Sequence, residues 1–409
     1  MLNLKEFLNE EKNVHMTHVE DLIFNEGVNG TRKAINFLRD LRDMLAGNSK
    51  SKNVATIKWD GAPAIFAGID PRDGKFFVAK KGVFNKEPKV YKTDEDIDSE
   101  LSGDLATKFK VALEQFSKLG IKHGVYQGDL MFTSDKKIQT IDDQKYVTFH
   151  PNTIVYAVPY DSPLGKRIRT CKIGVVWHTS YTGDSFETMR ATFGKPIVDG
   201  FNQLPYVWQD DATYKDYSGT ATFTAAETAE LNKVLTRVGT LFQMMDATTL
   251  NAIHKDEDLL MAVNTFNNSK IRKSETITDT HAHVQQLFDW IYDKYQKEIE
   301  KKKTEAGKSK QEDIRKKILS FFAHHDKNQI ASIFDLMNIM VEAKNMIIAK
   351  MNQAGNINTF LKTPNGFKVT GVEGFVAIDK LTGGAVKIVD RMEFSKANFD
   401  PTIVKGWTR

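Results

Sequence analysis

Two periodicities alternate along this chain. Up to about residue 50 the apolar positions recur every three or four residues. Ile35, Leu38, Leu41 and Leu45 in AINFLRDLRDML fall on one side of a helix, and Gly47-Asn48-Ser49 supplies a stop. From 54 to 92 the period shortens. VATIKWDG, PAIFAGI and KFFVAKKGVF are strand-length runs cut by turn residues, among them DPRDG at 70–74. A helix is predicted over 105–119, then strands in GVYQGDLMF (124–132), TIVYAV (153–158) and KIGVVWHTSY (172–181). Past 184 helical spacing takes over: Leu231, Val234, Leu235 and Val238 share one face, as do Phe288, Ile291, Tyr292 and Tyr295. Strand patterning returns after Gly355 in GFKVTGVEGFVAIDKL and AVKIVDRMEF, around a Thr-Gly-Gly turn at 382–384, and the tail reads as irregular. The organisation expected is an α+β core interrupted by helices. It comprises an N-terminal helical segment (1–50), a first core part (51–183), a mostly helical insertion (184–356) and a second core part (357–409).

Composition narrows the class. The 409 residues carry a net charge of +4, which permits a polyanionic partner without requiring one. A single cysteine, Cys171, excludes an internal disulfide framework and a four-cysteine zinc site, and fits a reducing cytoplasm. No run approaches the eighteen or so apolar residues of a membrane span, and MLNLKEFLNEEK lacks a signal-peptide core. A soluble, cytoplasmic protein with no membrane partner is expected, and a monomer. The lysine-rich stretch 294–317 reads either as a solvated helix face or as a polyanion-binding segment.

One cation stands out. Lys58 sits between Val54, Ala55, Ile57 and Trp59 on one side and Ala62, Ala64, Ile65 and Phe66 on the other. Desolvation in such a setting favours the neutral, nucleophilic form of an amine. Around it, short stretches follow in a particular order: KWDG at 58–61, VAKKG at 78–82, YQGDLM at 126–131, VVWHTSYTG at 175–183, VEGFVA at 372–377 and AVKIV at 385–389.

In that order the stretches resemble the motifs of the covalent nucleotidyltransferase superfamily, which holds ATP-dependent DNA ligases, RNA ligases and mRNA capping enzymes. KWDG is similar to Lys-x-Asp-Gly, VEGFVA to Glu-Gly-x-Val, and AVKIV to a motif that usually carries two lysines. YQGDLM resembles an Asp-Gly-Glu motif, with Gln127 and Asp129 where the acids stand. The resemblance covers residues 54–183 and 357–391. It implies an adenylation core of mainly antiparallel sheets with flanking helices, in which Lys58 takes up AMP from ATP as a phosphoramidate. Lys80 and Lys387 would then bind the phosphates, and Asp129 and Glu373 would hold Mg2+ or the ribose hydroxyls. Trp177 would stack on adenine, unless it is simply a core aromatic of its strand. Asp129 is one methylene shorter than the usual glutamate, which puts its reach in question.

After AVKIV only RMEFSKANFDPTIVKGWTR remains, too little for a C-terminal OB-fold. The function implied is an ATP-dependent polynucleotide ligase joining 5′-phosphate and 3′-hydroxyl ends of DNA and/or RNA, with helices in place of the OB domain. Lys294 to Lys317 is the first candidate for gripping the strand. Two alternatives stand beside it: a nucleotidyltransferase that caps RNA 5′ ends or modifies a protein, and a non-catalytic nucleic-acid-binding protein on a ligase-like core.

Overall fold

The computed structural model describes residues 16–47, 53–216, 220–355, 357–379 and 384–406. The first fifteen residues and the expected turn at Thr382-Gly383 lie outside these. The fold is α+β, and its strands form three sheets.

The first sheet joins the two ends of the chain. β1 (Asn53–Lys58) pairs antiparallel with β13 (Gly374–Asp379), which pairs with β14 (Ala385–Ile388). Strand alternation divides its residues cleanly. Ile57, Phe375, Ala377, Val386 and Ile388 enter a core shared with the helices, whereas Thr56, Val376 and Ile378 turn to the opposite face. The second sheet has the order β10-β8-β4-β2-β3, formed by β2 (Ala64–Ile69), β3 (Phe76–Ala79), β4 (Val125–Phe132), β8 (Ile173–Thr182) and β10 (Val207–Asp211). β9 (Arg190–Phe193) pairs beside it on β8, and β10 runs parallel to β8. The third sheet has the order β12-β11-β7-β6-β5, from β5 (Lys137–Ile141), β6 (Gln144–Phe149), β7 (Ile154–Pro159), β11 (Asn358–Thr363) and β12 (Gly366–Val369). Met131, Phe132, Phe149, Tyr156, Val158 and Trp208 fill the space between the second and third sheets.

The helices are α1 (Leu22–Asn25), α2 (Gly27–Leu45), α3 (Asp94–Glu100), α4 (Gly103–Phe116), α5 (Pro163–Thr170), α6 (Ala225–Met244), α7 (Ala247–Lys255), α8 (Glu257–Arg272), α9 (Thr280–Glu300), α10 (Glu305–His324), α11 (Lys327–Met351) and α12 (Arg391–Phe399). The predicted stripe of α2 is buried, and it packs in one core with Leu231, Val234, Leu235 and Val238 of α6. The N-terminal segment and the insertion therefore share one helical body. α11 lies inside that body: Ile330, Ile333, Phe334, Leu336, Met340 and Ile347 are all buried, on more than one of its faces. In α9 the expected stripe is only partly internal, because Tyr292 is 49% exposed.

Two boundaries differ from the sequence reading. Residues 184–211 were expected in the insertion, yet β9 and β10 belong to the second sheet, and Ile57 N–H donates to Ala212 O at 2.7 Å. The helical part begins at Ala225. Residues 391–394, expected in a strand run, and the first part of the tail, expected to be irregular, form α12. Asp390 caps it, accepting from the N–H groups of Met392 and Glu393 at 3.0 Å each, and a cap stops a short helix from fraying.

A buried ion cluster ties the parts together. Lys344 of α11 donates to Glu20 at 2.7 Å, with 1% and 3% of the two side chains exposed. Arg391 of α12 bonds Asp21 at 2.7 Å and also reaches Asn268 of α8. Removing one member of a buried pair leaves the other charge without compensation. Lys344→Met is therefore expected to destabilise the protein by about 3–5 kcal/mol, read as a lower denaturant midpoint at unchanged slope. A loss below 1 kcal/mol would mean that Glu20 finds another partner.

Candidate active site

β1 ends at Lys58, opposite Gly374, so Lys58 and Glu373 meet although they come from opposite ends of the chain. Glycine is needed at 374: its φ is +152°, and a Cβ there would lie 2.5 Å from Val389 Cγ2. Lys58 Nζ contacts Glu373 Oε1, with 29% of the lysine side chain exposed and 7% of the glutamate. Burial pushes the Glu373 carboxyl above its ordinary value, and the Lys58 charge opposes that.

The turn after Lys58 is fixed by Asp60. Its carboxylate accepts from Asn152 Nδ2 at 2.8 Å and from the backbone N–H groups of Thr153 and Ile154 at 2.7 and 2.8 Å. Its own N–H donates to Tyr156 Oη at 2.7 Å. Four bonds to β7 and the loop before it fix Asp60, which holds the turn at the wall of the cleft. Gly61 lets the loop close, since a Cβ there would collide with Asp129 Cβ.

Asp129 comes from β4 and enters the same cleft. Burial pushes its carboxyl up to about 8; the Lys58 charge pulls it down, and Glu373 and Asp60 push it further up. Lys387 is paired with Val376 across β13 and β14, on the cleft side of the first sheet. Burial, and then the nearby Lys58 charge, hold Lys387 below the usual lysine value. Lys58, Asp129 and Glu373 thus line a cleft of about 330 Å³, and Lys387, though not among its lining residues, lies near enough for its charge to act on Lys58 and Glu373. That volume is at the lower end of small-molecule sites, which run from about 300 to 1,000 Å³.

Two expected site residues are elsewhere. Trp177 is fully buried, 5.4 Å from the Phe116 ring and 5.8 Å from the Phe201 ring, and its Nε1 donates to Gln209 at 3.3 Å. It belongs to the core against α4 and cannot stack on a ligand. Lys80, just past β3 on the edge of the second sheet, is not among the residues that line the cleft. Gln127, in the other acid position of YQGDLM, accepts from Tyr181 Oη at 2.7 Å and completes a packed aromatic cluster.

Three residues that the sequence reading did not single out face the cleft instead: His178, Phe193 and Phe394. His178 is the extra residue of a β-bulge. Gln127 pairs with Thr179 and Gly128 with Trp177, so His178 has no partner on β4 and its side chain is re-aimed. Its Nε2 lies 4.0 Å from Asp129 Oδ2, and burial lowers it to about 4, leaving a neutral imidazole at pH 7. Period-two alternation placed Trp177 and His178 on opposite faces, and the bulky apolar ring had to be the inward one. Phe394 rides on α12, with its ring 5.8 Å from Lys58 Nζ. The spacing of Asp390 and Glu393 was the available signal, since an Asx residue three positions before a glutamate marks a helix start.

Among the described residues no three His, Cys, Asp or Glu side chains gather as a ready metal site, and no helix is long and apolar enough to cross a membrane. The fold and cleft define an α+β protein with a lysine-centred, carboxylate-lined pocket built from both ends of its chain. The chain belongs to a family of unknown function, DUF6267, whose model matches residues 13–402. No curated protein and no solved structure matches it.

Proposed function

We propose that this protein is an ATP-dependent polynucleotide ligase working through a covalent Lys58–AMP intermediate. The observation that carries the reading is that Lys58, Asp129 and Glu373, residues of three separate sequence motifs, line one cleft, with Lys387 of a fourth close enough for its charge to act on Lys58 and Glu373.

The chemistry follows from their positions. Lys58 Nζ, once neutral, attacks the α-phosphorus of ATP; an N–P bond forms and pyrophosphate leaves with the electrons of the broken P–O bond. Glu373 touches Nζ and is the group positioned to receive its proton. Lys387 adds positive charge where negative charge develops on the phosphates. A 5′-phosphate oxygen then attacks the same phosphorus, the N–P bond breaks, and Lys58 regains a proton. Finally a 3′-hydroxyl displaces AMP and closes the phosphodiester. Two carboxylates suit Mg2+, which commonly takes one or two protein oxygens and completes its shell with water and substrate phosphate. Glu373 and Asp129 are the residues that would hold it, and its contribution when bound is to neutralise phosphate oxygens.

The test is sealing of nicked duplexes of DNA, RNA and hybrid strands with ATP and Mg2+. Joined product is expected only from nicks carrying a 5′-phosphate. Transfer of a nucleotide to a 5′-diphosphate RNA end without joining would favour capping chemistry instead.

A further inference from the structure

A strand-joining enzyme needs a surface that holds polyanion beyond its nucleotide cleft. In the lysine-rich segment 294–317 part of the positive charge is taken up by carboxylates. Lys301 pairs with Glu298 at 2.9 Å, Lys308 with Glu305 at 2.7 Å, Lys316 with Glu312 at 3.3 Å and Lys317 with Asp256 at 3.0 Å.

On a different face cations gather around two tyrosines without carboxylate partners. Lys145 of β6 and Arg169 of α5 both lie over the Tyr160 ring, 4.1 and 3.9 Å from its centroid. Lys172 lies over the exposed Tyr206 ring at 5.5 Å, and its N–H donates to Tyr206 O at 2.7 Å. Lys166 is exposed on α5 between them in sequence. Among the described residues none of these four cations makes an ion pair. Glu114, which feels the Lys172 charge, is itself paired with Lys118 at 3.1 Å. The helix is held against the sheets by Ile168, and Arg167 clamps the following loop through Pro205 O at 2.7 Å and Val207 O at 3.0 Å, so the cations stand on rigid backbone.

We infer that this face, Lys145, Lys166, Arg169 and Lys172 with Tyr160 and Tyr206, binds the sugar-phosphate backbone of the polynucleotide. The inference rests on the ligase reading for its purpose, but not for its observations. Unpaired cations beside an exposed ring, here Tyr206, are the combination that tracks a nucleic-acid strand, the charges on phosphate and the ring on a base, while the half-buried Tyr160 holds Lys145 and Arg169 in place. The geometry also connects the face to Lys58. The six residues of β7 start at the backbone that holds Asp60 and end just before Tyr160. At roughly 3.3 Å per residue that is about 20 Å, the rise of about six base pairs.

The experiment measures binding of labelled single-stranded and nicked DNA and RNA from about 50 to 200 mM salt. Four proteins are compared: wild type, the triple variant Lys145→Gln/Lys166→Gln/Lys172→Gln, the corresponding Lys→Arg triple, and Lys301→Gln/Lys302→Gln/Lys303→Gln. Each neutralised phosphate contact removes about 0.9 from the slope of log affinity against log salt on duplex. The first triple is expected to flatten the slope by about 3, with the other two close to wild type. An unchanged slope in the first triple, or wild type that binds no polynucleotide, would overturn the inference. AMP loading of the same proteins, read by mass, separates the two readings. Loading without polynucleotide binding removes this surface and keeps the chemistry of Lys58. Salt-sensitive binding that the first triple flattens, without loading, keeps the surface and removes the ligase.

Discussion

Glu373→Ala is expected to slow AMP transfer to Lys58 by about 100-fold or more, with Lys387→Ala close behind. Glu373 touches Lys58 Nζ and lies almost wholly out of solvent. Its removal deletes the group that touches the Lys58 amine and one of the two carboxyl groups that line the cleft. Lys387 is closer to an electrostatic partner: it contributes charge on the cleft side of the first sheet without touching Lys58 in the described contacts. Single-turnover loading with labelled ATP separates the two, because loss of Lys387 should weaken ATP binding as well as the transfer step. Near-normal loading in Glu373→Ala would show that VEGFVA is only a structural crossing of strands.

Asp129→Asn should change stability and activity in opposite directions. The native carboxyl is pushed up to about 8 by burial and by its acidic neighbours, whereas an aspartate in an unfolded chain titrates near 3.9. A carboxyl whose folded value is raised binds its proton more tightly in the native state. Its stabilising contribution is complete below about pH 4 and is lost as pH rises towards about 8. Asparagine has no such proton to lose. The variant should therefore gain about 2 kcal/mol or more over wild type at pH 8, and less at pH 5, while AMP transfer falls. Urea unfolding at the two pH values checks the sign. An equal gain at both would mean that the cleft does not hold Asp129 in its neutral form. A site that costs stability is what a group kept for chemistry looks like.

Much of this was legible in the chain, for identifiable reasons. Strand alternation at VATIK and GFVAI placed Lys58 and the residues after Glu373 on strands, and those strands are neighbours. Asp60-Gly61 is a turn signal directly after Lys58, and the bonds of Asp60 to Asn152, Thr153 and Ile154 give that turn its physical form. The errors arose where tertiary packing overrides local pattern. Trp177 followed a motif order, but a large apolar ring opposite Gly128 is drawn inward: a Cβ on that glycine would lie 2.9 Å from the indole. The bulge that turns His178 outward depends on a mismatch between two strands, which no single segment records. β9 and β10 are short, and only their pairing with β8 separates them from the helices that follow. The lysine count of 294–317 was visible, but the pairing of Lys301 and Lys308 with carboxylates one helical turn away, and of Lys317 with Asp256 across the body, depends on the folded helices.

The most direct measurement is intact mass of the purified protein after incubation with ATP and Mg2+, for wild type and for Lys58→Ala. Wild type is expected to gain a single AMP, released by acid as a phosphoramidate should be, and mapped by peptide mass to Lys58. Lys58→Ala is expected to stay unmodified; because it also leaves the largely buried Glu373 side chain without its cation, a denaturant midpoint is measured to show that the variant is folded under the assay conditions. A wild-type protein that never gains AMP, or an adduct that survives in Lys58→Ala, would contradict the assignment of Lys58 as the nucleophile.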